Sequence, residues 1–409
     1  MAKEYKDFVV GLDIGTFKMK VVVAELTPAA ELRVVGVGTQ DSRGLKRGAV
    51  VDINAAVHSI RQALQEASSM AECSIHQVHA GITGNHIRGT TSPGMVKIRG
   101  SEVTAADVQK VVEAAQAINI ASEQRLLLVE PQEFELDGQA VSEPVGMSGL
   151  RLEAKVHLVT AAAGAADNIM KCVRRCGLEL EDLLINAHAS SAAVLTEDEK
   201  DLGVVLVDIG AGTTDVAIYA GGAIRHTAVI PIAGDLITSD IAMALHTPTK
   251  DAEELKIAHG CAKQLLANPD EQVEVVGLGD RSPRTVSKQV LAGVIEPRVE
   301  EIFALVLQVV RNSGLEEILS SGFVVTGGAA SMYGMVELAE DIFLKPVRVG
   351  LPMYKGHLAD FVCKPDMSTA MGFLEIVRQG QARGVRVGRH QAGFVAWLGR
   401  VRDFLVGNF

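Results

Sequence analysis

Two copies of one short pattern constrain this chain more than any other feature. The first copy is an apolar run, Phe8–Leu12, followed by Asp13-Ile14-Gly15-Thr16, Lys18 and a second apolar run at Val21–Val23. The second copy is Val204–Val207 followed by Asp208-Ile209-Gly210-Ala211-Gly212-Thr213-Thr214-Asp215. Asp13 and Asp208 stand 195 positions apart in a chain of 409 residues, so each half opens with strand, Asp-Ile-Gly, threonine, strand. Glycine lets the backbone turn tightly, so that successive N–H groups can point at one anion. Threonine hydroxyls add donors, and a carboxylate at a strand end can hold a hydrated Mg2+ beside phosphate oxygens. One such hairpin reads equally well as a plain β-turn. Two facing hairpins would grip a polyphosphate from both sides.

The bulk properties narrow the class. A chain of 409 residues is too long for one core and predicts a two-lobed body. A hydrophobic content of 48% with 22% charged residues is that of a globular protein. The net charge of -11 argues against a general nucleic-acid binder, which needs a basic surface. Five scattered cysteines (73, 172, 176, 261 and 363) suit a reducing cytoplasm better than a disulfide framework. Cys172 and Cys176 could share a helix face, but no histidines accompany them as metal ligands. The charged start, Met1-Ala-Lys-Glu-Tyr-Lys-Asp, does not read as a signal peptide. No apolar run approaches the roughly 20 residues needed to span a bilayer. The expected location is therefore cytoplasmic unless something attaches the protein to a surface.

In chain order, Phe8–Asp13, Met19–Leu26 and Leu32–Val37 read as strands, and Asp52 begins an amphipathic helix with Ile53, Val57, Ile60 and Leu64 on one face. From about 84 to 160 short strands (Gly94–Ile98, Leu126–Pro131, Val156–Thr160) and a helix (Ala105–Ala117) suggest an inserted α+β subdomain. His76, His79 and His86 have mixed spacing, which favours ordinary satisfied histidines. Ala161–Arg175 and the small-residue segment Leu183–Leu195 read as helices, as do Asp240–His259 and Val294–Val310. Lys256 could reach a ribose or base edge, although a solvated helix face is the simpler reading. Phe323-Val-Val-Thr-Gly-Gly-Ala-Ala330 is strand, double glycine, then helix; Gly327 and Gly328 would let a nucleoside lie against the backbone.

The tail changes texture. Residues 379–393 contain three Arg and four Gly without apolar periodicity and read as a flexible linker. Beyond it, Phe394, Trp397, Leu398, Val401, Phe404 and Leu405 fall on one face of a helix, flanked by Arg400 and Arg402. From Arg378 onward six Arg and one Asp give a net +5, leaving -16 on the remainder of the -11 chain. A basic amphipathic helix with aromatic residues on its apolar side suits an anionic membrane surface. Docking of that helix on the protein's own core is the alternative.

The Asp-Ile-Gly-Thr, Asp-Ile-Gly-Ala-Gly-Thr-Thr-Asp and Thr-Gly-Gly-Ala motifs, in this order, resemble the actin, sugar kinase and heat-shock chaperone ATPase superfamily. Within it the chain resembles the FtsA family of bacterial actin-like cell-division proteins. Ser42–Gly48, Lys155–Val159, Ala187–Leu195, Arg225–Thr227, Glu296–Arg298, Ser368–Gly372 and the tail helix carry that likeness over essentially the whole chain.

The resemblance implies an α/β actin-like fold: two RNase H-like lobes with an inserted α+β subdomain and a C-terminal amphipathic helix. Subdomain 1A would comprise 1–83 and 161–195, completed by about 360–378, with 1C at 84–160. Subdomain 2A would comprise 196–240 and 311–359, and 2B would lie at 241–310. It implies ATP between the lobes. Asp13 and Asp208 would position Mg2+ through water, Asp208 also being the candidate catalytic residue. Gly15, Thr16, Gly210, Gly212, Thr213 and Thr214 would hold the phosphates, Lys18 would add charge, and Glu253, Lys256, Gly327 and Gly328 would enclose the nucleoside. Ala211 stands where many superfamily members have glycine. No residue stands out in the sequence as a water activator.

By the same resemblance, Lys288, Arg298 and Glu301 would lie in the region that receives the C-terminal peptide of FtsZ. Subdomain 1C would serve self-assembly into filaments and contact with later division proteins. The tail would hold the assembly on anionic lipid at the inner face of the cytoplasmic membrane at midcell. The rival classes are a small-molecule kinase on the same fold and a pilus-assembly-type relative, for neither of which the tail helix has a purpose.

Overall fold

The computed structural model describes residues 8–382 apart from 119 and 280. The first lobe opens with β1 (Phe8–Ile14), β2 (Lys18–Leu26) and β3 (Leu32–Asp41), an antiparallel meander built on β-branched runs. A small hairpin, β4 (Leu45–Lys46) and β5 (Ala49–Val50), leads to α1 (Ile53–Ala71). Asp52 caps α1 as the sequence predicts, its carboxylate accepting from the N–H groups of Asn54 and Ala55 at 2.9 and 3.1 Å. β6 (Gln77–Ile82) then pairs parallel to β1.

The insertion follows: β7 (Arg88–Lys97), α2 (Ala105–Gln116), β8 (Gln124–Leu136), β9 (Gln139–Val141) and β10 (Arg151–Ala162). They form a separate sheet, ordered β7-β10-β8-β9, with its own apolar core around Val108, Val111, Phe134, Leu152 and Leu158. The strands are roughly twice as long as the sequence suggests. The apolar pieces stop where polar residues begin to alternate with buried ones, Phe134 and Leu136 on β8 and Leu152 and Ala154 on β10.

The chain returns through α3 (Ala163–Arg175), β11 (Glu179–Ile185) and α4 (Asn186–Val194). Leu183–Ile185 is thus the end of a strand rather than part of a helix. Only the Ala/Ser-rich portion is helical, because small side chains let α4 sit close to its neighbours. After α5 (Glu197–Leu202) comes the second meander, β12 (Val204–Ile209), β13 (Thr214–Ala220) and β14 (Ala223–Ile230). Next are α6 (Gly234–Leu245) and α7 (Thr249–His259), which the sequence reading joined. His246 adopts a left-handed conformation (φ 48°) and Pro248 precedes α7, so the chain breaks between them.

β15 (Gln272–Val275) and β16 (Arg284–Ser287) form a short hairpin. α8 (Lys288–Ser313) starts earlier than its apolar period indicates, capped by Ser287, and runs through Pro297. β17 (Phe323–Thr326), α9 (Met335–Phe343), β18 (Val347–Val349), α10 (Ala359–Val362) and α11 (Ser368–Ala382) complete the described chain. α11 includes residues 379–382, which the sequence assigns to the linker.

The two principal sheets are ordered β3-β2-β1-β6-β11 and β14-β13-β12-β17-β18. In each, the outer three strands are antiparallel and the last two join parallel to the first strand of the meander. The sequence repeat is therefore a structural repeat. Strand alternation divides β12 between two cores: Val205, Val207 and Ile209 face the second lobe's own helices, while Val204 and Leu206 join the first lobe's cluster. α4 and α11 cross at the lobe junction so closely that a Cβ on Gly372 would stand 1.8 Å from the Ala189 carbonyl oxygen. Among the described residues no helix is long and apolar enough to cross a membrane.

Candidate functional site

Both Asp-Ile-Gly turns open into one cleft between the lobes, a cavity of about 440 Å³. Asp13 and Asp208 end β1 and β12 and are nearly inaccessible, at 9% and 8% exposure. In each hairpin the residue seven positions on is the direct cross-strand partner: Lys20 opposite Asp13, and Asp215 opposite Asp208. The Gly210 N–H donates to the Thr213 carbonyl at 2.9 Å and closes the second turn. The two turns meet tip to tip, for a Cβ on Gly212 would lie 2.5 Å from Thr16 Oγ1 and 2.8 Å from Arg47 Cα. Gly327, with φ 87°, brings the backbone after β17 against Asp208; a Cβ there would lie 2.4 Å from its Oδ1.

Burial raises the carboxyls more than their neighbours lower them. Asp13 is pushed up to about 6 by burial; the Lys20 ammonium opposes this, and Asp208 and Asp366 add to it. Asp208 is raised by burial, against hydrogen bonds from Ser190 and Thr369. Asp215 is pushed up to about 7 by burial and by Asp208; its oxygens accept from Thr83 Oγ1 at 2.6 Å and Thr213 Oγ1 at 3.0 Å. A cleft floor with this excess of negative charge suits a divalent cation. Two strand-end carboxylates leave most of its ligands to water and phosphate, as Mg2+ prefers.

Of the residues expected to hold nucleotide, Asp13, Gly15, Thr16, Lys18, Asp208, Gly210, Gly212, Thr213, Glu253, Lys256, Gly327 and Gly328 all line this cavity. Thr214 does not line it. It is fully buried and its hydroxyl donates to the Ile232 carbonyl at 2.8 Å, pinning β13 to the turn before α6. Lys18 stands at the rim, held by its cross-strand neighbour Asp41. Lys20, not singled out from the sequence, is a buried cation of the cleft; its ammonium lies 2.9 Å from Asp366 Oδ2.

Lys256 is likewise buried rather than on a solvated face. It pairs with Glu253 at 2.6 Å and donates to Thr238 Oγ1 at 2.8 Å, beside Gly234. The helix expected directly after Gly328 is only a four-residue 3-10 turn, Gly328–Ser331. Asp215, Thr83, Ser190 and Thr369 were also missed as site residues. The seven-residue spacing across each hairpin was the available signal for Lys20 and Asp215.

Lys288, Arg298 and Glu301 all belong to α8, but Lys288 stands apart from the other two. Lys288 pairs with Glu271 at 2.6 Å, whereas Arg298 pairs with Asp240 at 2.6 Å and with Glu301. Exposed Leu265 and Val290 lie near the start of that helix, where Gln264 donates to the Gln289 carbonyl. The residues assigned to lipid, Phe394, Trp397, Leu398, Arg400, Val401, Arg402, Phe404 and Leu405, lie outside the described residues. No group of three or more His, Cys, Asp or Glu that could ligate a metal directly occurs among the described residues.

Duplicated meander sheets around a cleft, with a strand-end carboxylate from each, define an actin-like protein. Solved structures agree on the fold. A PilM–PilN type IV pilus biogenesis complex matches at a TM-score of 0.64, with 17% identity over 90% of this chain and 97% of that one. MreB5 of Spiroplasma citri bound to ADP matches at 0.55, with 14% identity over 92% and 98%.

Sequence comparison is more specific. The family model for cell division protein FtsA matches residues 205–372, and that for the SHS2 domain inserted in FtsA matches 84–160. Cell division protein FtsA of Pseudomonas aeruginosa is 51% identical over 98% of each chain. The Escherichia coli K12 protein is 42% identical over 99% of each, and that of Bacillus subtilis 38% identical over 93% of this chain and 86% of its own. The chain belongs to the FtsA family of cell division proteins.

Proposed function

We propose that this protein binds Mg-ATP between its lobes and uses the bound nucleotide to favour a filament-forming conformation. The filament tethers FtsZ to the cytoplasmic face of the inner membrane at midcell and helps recruit later division proteins. The observation that carries the reading is the tip-to-tip meeting of the two hairpins at Thr16 and Gly212, with Asp13 and Asp208 on the cleft floor. Thr16, Thr213 and the turn amides would hold the phosphates, and Asp13 and Asp208 a hydrated Mg2+, whose positive charge stabilises the phosphate oxygens. Glu253, Lys256, Gly327 and Gly328 would flank the nucleoside.

Asp215 is the group suited to take a proton from an attacking water: it is buried, lines the cleft, is held by two threonine hydroxyls and is tuned near neutrality. Membrane attachment rests on the basic, aromatic-faced segment 394–409, and FtsZ binding on the 241–310 region with its exposed Leu265 and Val290. Assembly of many copies would strengthen the weak attachment of a single helix.

The full chain should co-sediment with anionic liposomes and carry FtsZ down with it, with ATP increasing the recovery. Asp208→Ala should weaken Mg-ATP binding at least tenfold. Unchanged affinity in that variant would sink the site, and failure to bring FtsZ to the vesicles would sink the tether.

A further inference from the structure

Among the described residues Lys20 is the one lysine that both lines the cleft and is paired with Asp366. Its side chain is 8% exposed; its ammonium lies 2.9 Å from Asp366 Oδ2 and also donates to the Asp366 carbonyl oxygen. Asp366 occupies the turn before α11, and that turn is fixed to the second lobe: the Pro365 carbonyl accepts from the Gly327 N–H at 3.1 Å and from Thr326 Oγ1 at 3.2 Å. The Asp366 side chain also stands over Gly328, whose Cβ would lie 3.8 Å from its own. The Pro365-Asp366 turn thus joins the first lobe's phosphate hairpin, through the Asp366 carboxylate, to the second lobe's nucleoside turn, through the Pro365 carbonyl.

Three carboxylates stand around this lysine: Asp366, which it touches, Asp13, its direct cross-strand partner, and Asp208 at the end of β12 in the same cleft. The cross-strand pairing with Asp13 places the Lys20 ammonium beside the hairpin carboxylates. If Asp366 did not hold it, the nearest counter-charges would be those two, and the lysine would compete with a divalent cation for them. We propose that Asp366 is a positioning residue of the nucleotide site, holding Lys20 towards the phosphates and away from the carboxylates that carry Mg2+. This rests on the reading of the cleft as a Mg-nucleotide site.

The test uses the full chain, fluorescent ATP and ADP analogues, and a Mg2+ titration at fixed nucleotide. Lys20→Met should weaken both nucleotides at least tenfold. Asp366→Asn should raise the Mg2+ concentration for half-saturation several-fold, with the unfolding midpoint unchanged, and Asp366→Glu should restore it to within twofold. In the double variant Asp366→Asn should add nothing to Lys20→Met, as for residues acting through one another. An unchanged or lower Mg2+ requirement in Asp366→Asn, additive losses in the double variant, or no rescue by Glu would overturn the proposal. If Lys20→Met binds normally while Asp208→Ala does not, this inference fails and the site stands. If neither variant loses affinity, the site reading itself fails.

Discussion

Gly212 and Thr16 belong to opposite lobes, yet a single Cβ on Gly212 would stand 2.5 Å from the Thr16 hydroxyl oxygen. No real Cβ tolerates that approach, so Gly212→Ala must push the hairpin tips apart. Gly212 is not among the glycines with positive φ, so the cost falls on closure rather than on folding. Nucleotide affinity should fall about ten- to a hundredfold, or roughly 1.4 to 2.7 kcal/mol, with little change in the unfolding midpoint. Fluorescent-nucleotide titration beside thermal unfolding would check both.

The cleft carboxyls give a pH dependence of definite sign. Asp13 and Asp215 are raised to about 6 and about 7 from an ordinary 3.8. Their contribution to stability is therefore fully present below about 4 and is lost as pH rises through 6 to 7. Chemical denaturation of the ligand-free protein should show this loss, and Asp215→Asn should remove the upper part of it. Mg2+ affinity should run the opposite way and rise over the same interval, because the metal needs the ionised carboxylates.

His157 should act in the other direction. It joins the inserted sheet to the second lobe through Thr227 Oγ1 at 3.0 Å, and burial pushes its imidazole down to about 4. A histidine held neutral in the fold contributes stability above its ordinary 6.5, and that contribution is lost as pH falls towards 4. His157→Asn should flatten this part of the profile and cost on the order of 1 kcal/mol at neutral pH. His188, also pushed down to about 4, and His86 and His226, likewise lowered by burial, should leave the remaining slope.

The tail supplies its own probe, since Trp397 is the only tryptophan in the chain. Its emission should shift to the blue when anionic liposomes are added. Trp397→Glu should abolish co-sedimentation with them. An equally blue emission without lipid would favour docking on the protein's own core.

What was legible in the sequence is local. The repeated strand, Asp-Ile-Gly turn and strand fixed the duplicated lobes, because a buried apolar run ended by Asp and Gly has few other uses. The helix cap at Asp52 and the glycines at 212 and 327 were equally readable. Pairing decisions were not. Lys18 and Lys20 are two residues apart on β2 and share a face of the sheet, so alternation cannot choose between them. Asp41, opposite Lys18 in the β2–β3 register, holds one at the rim, while Asp366, 346 residues away in sequence, draws the other inside. The same holds for Thr214, turned from the cleft by the Ile232 carbonyl, and for Asp215, whose carboxylate accepts from Thr83 of the other lobe. Sequence alone determined which groups could meet in this cleft. Tertiary structure decided which of them face it, because burial and counter-charge come from residues far away along the chain.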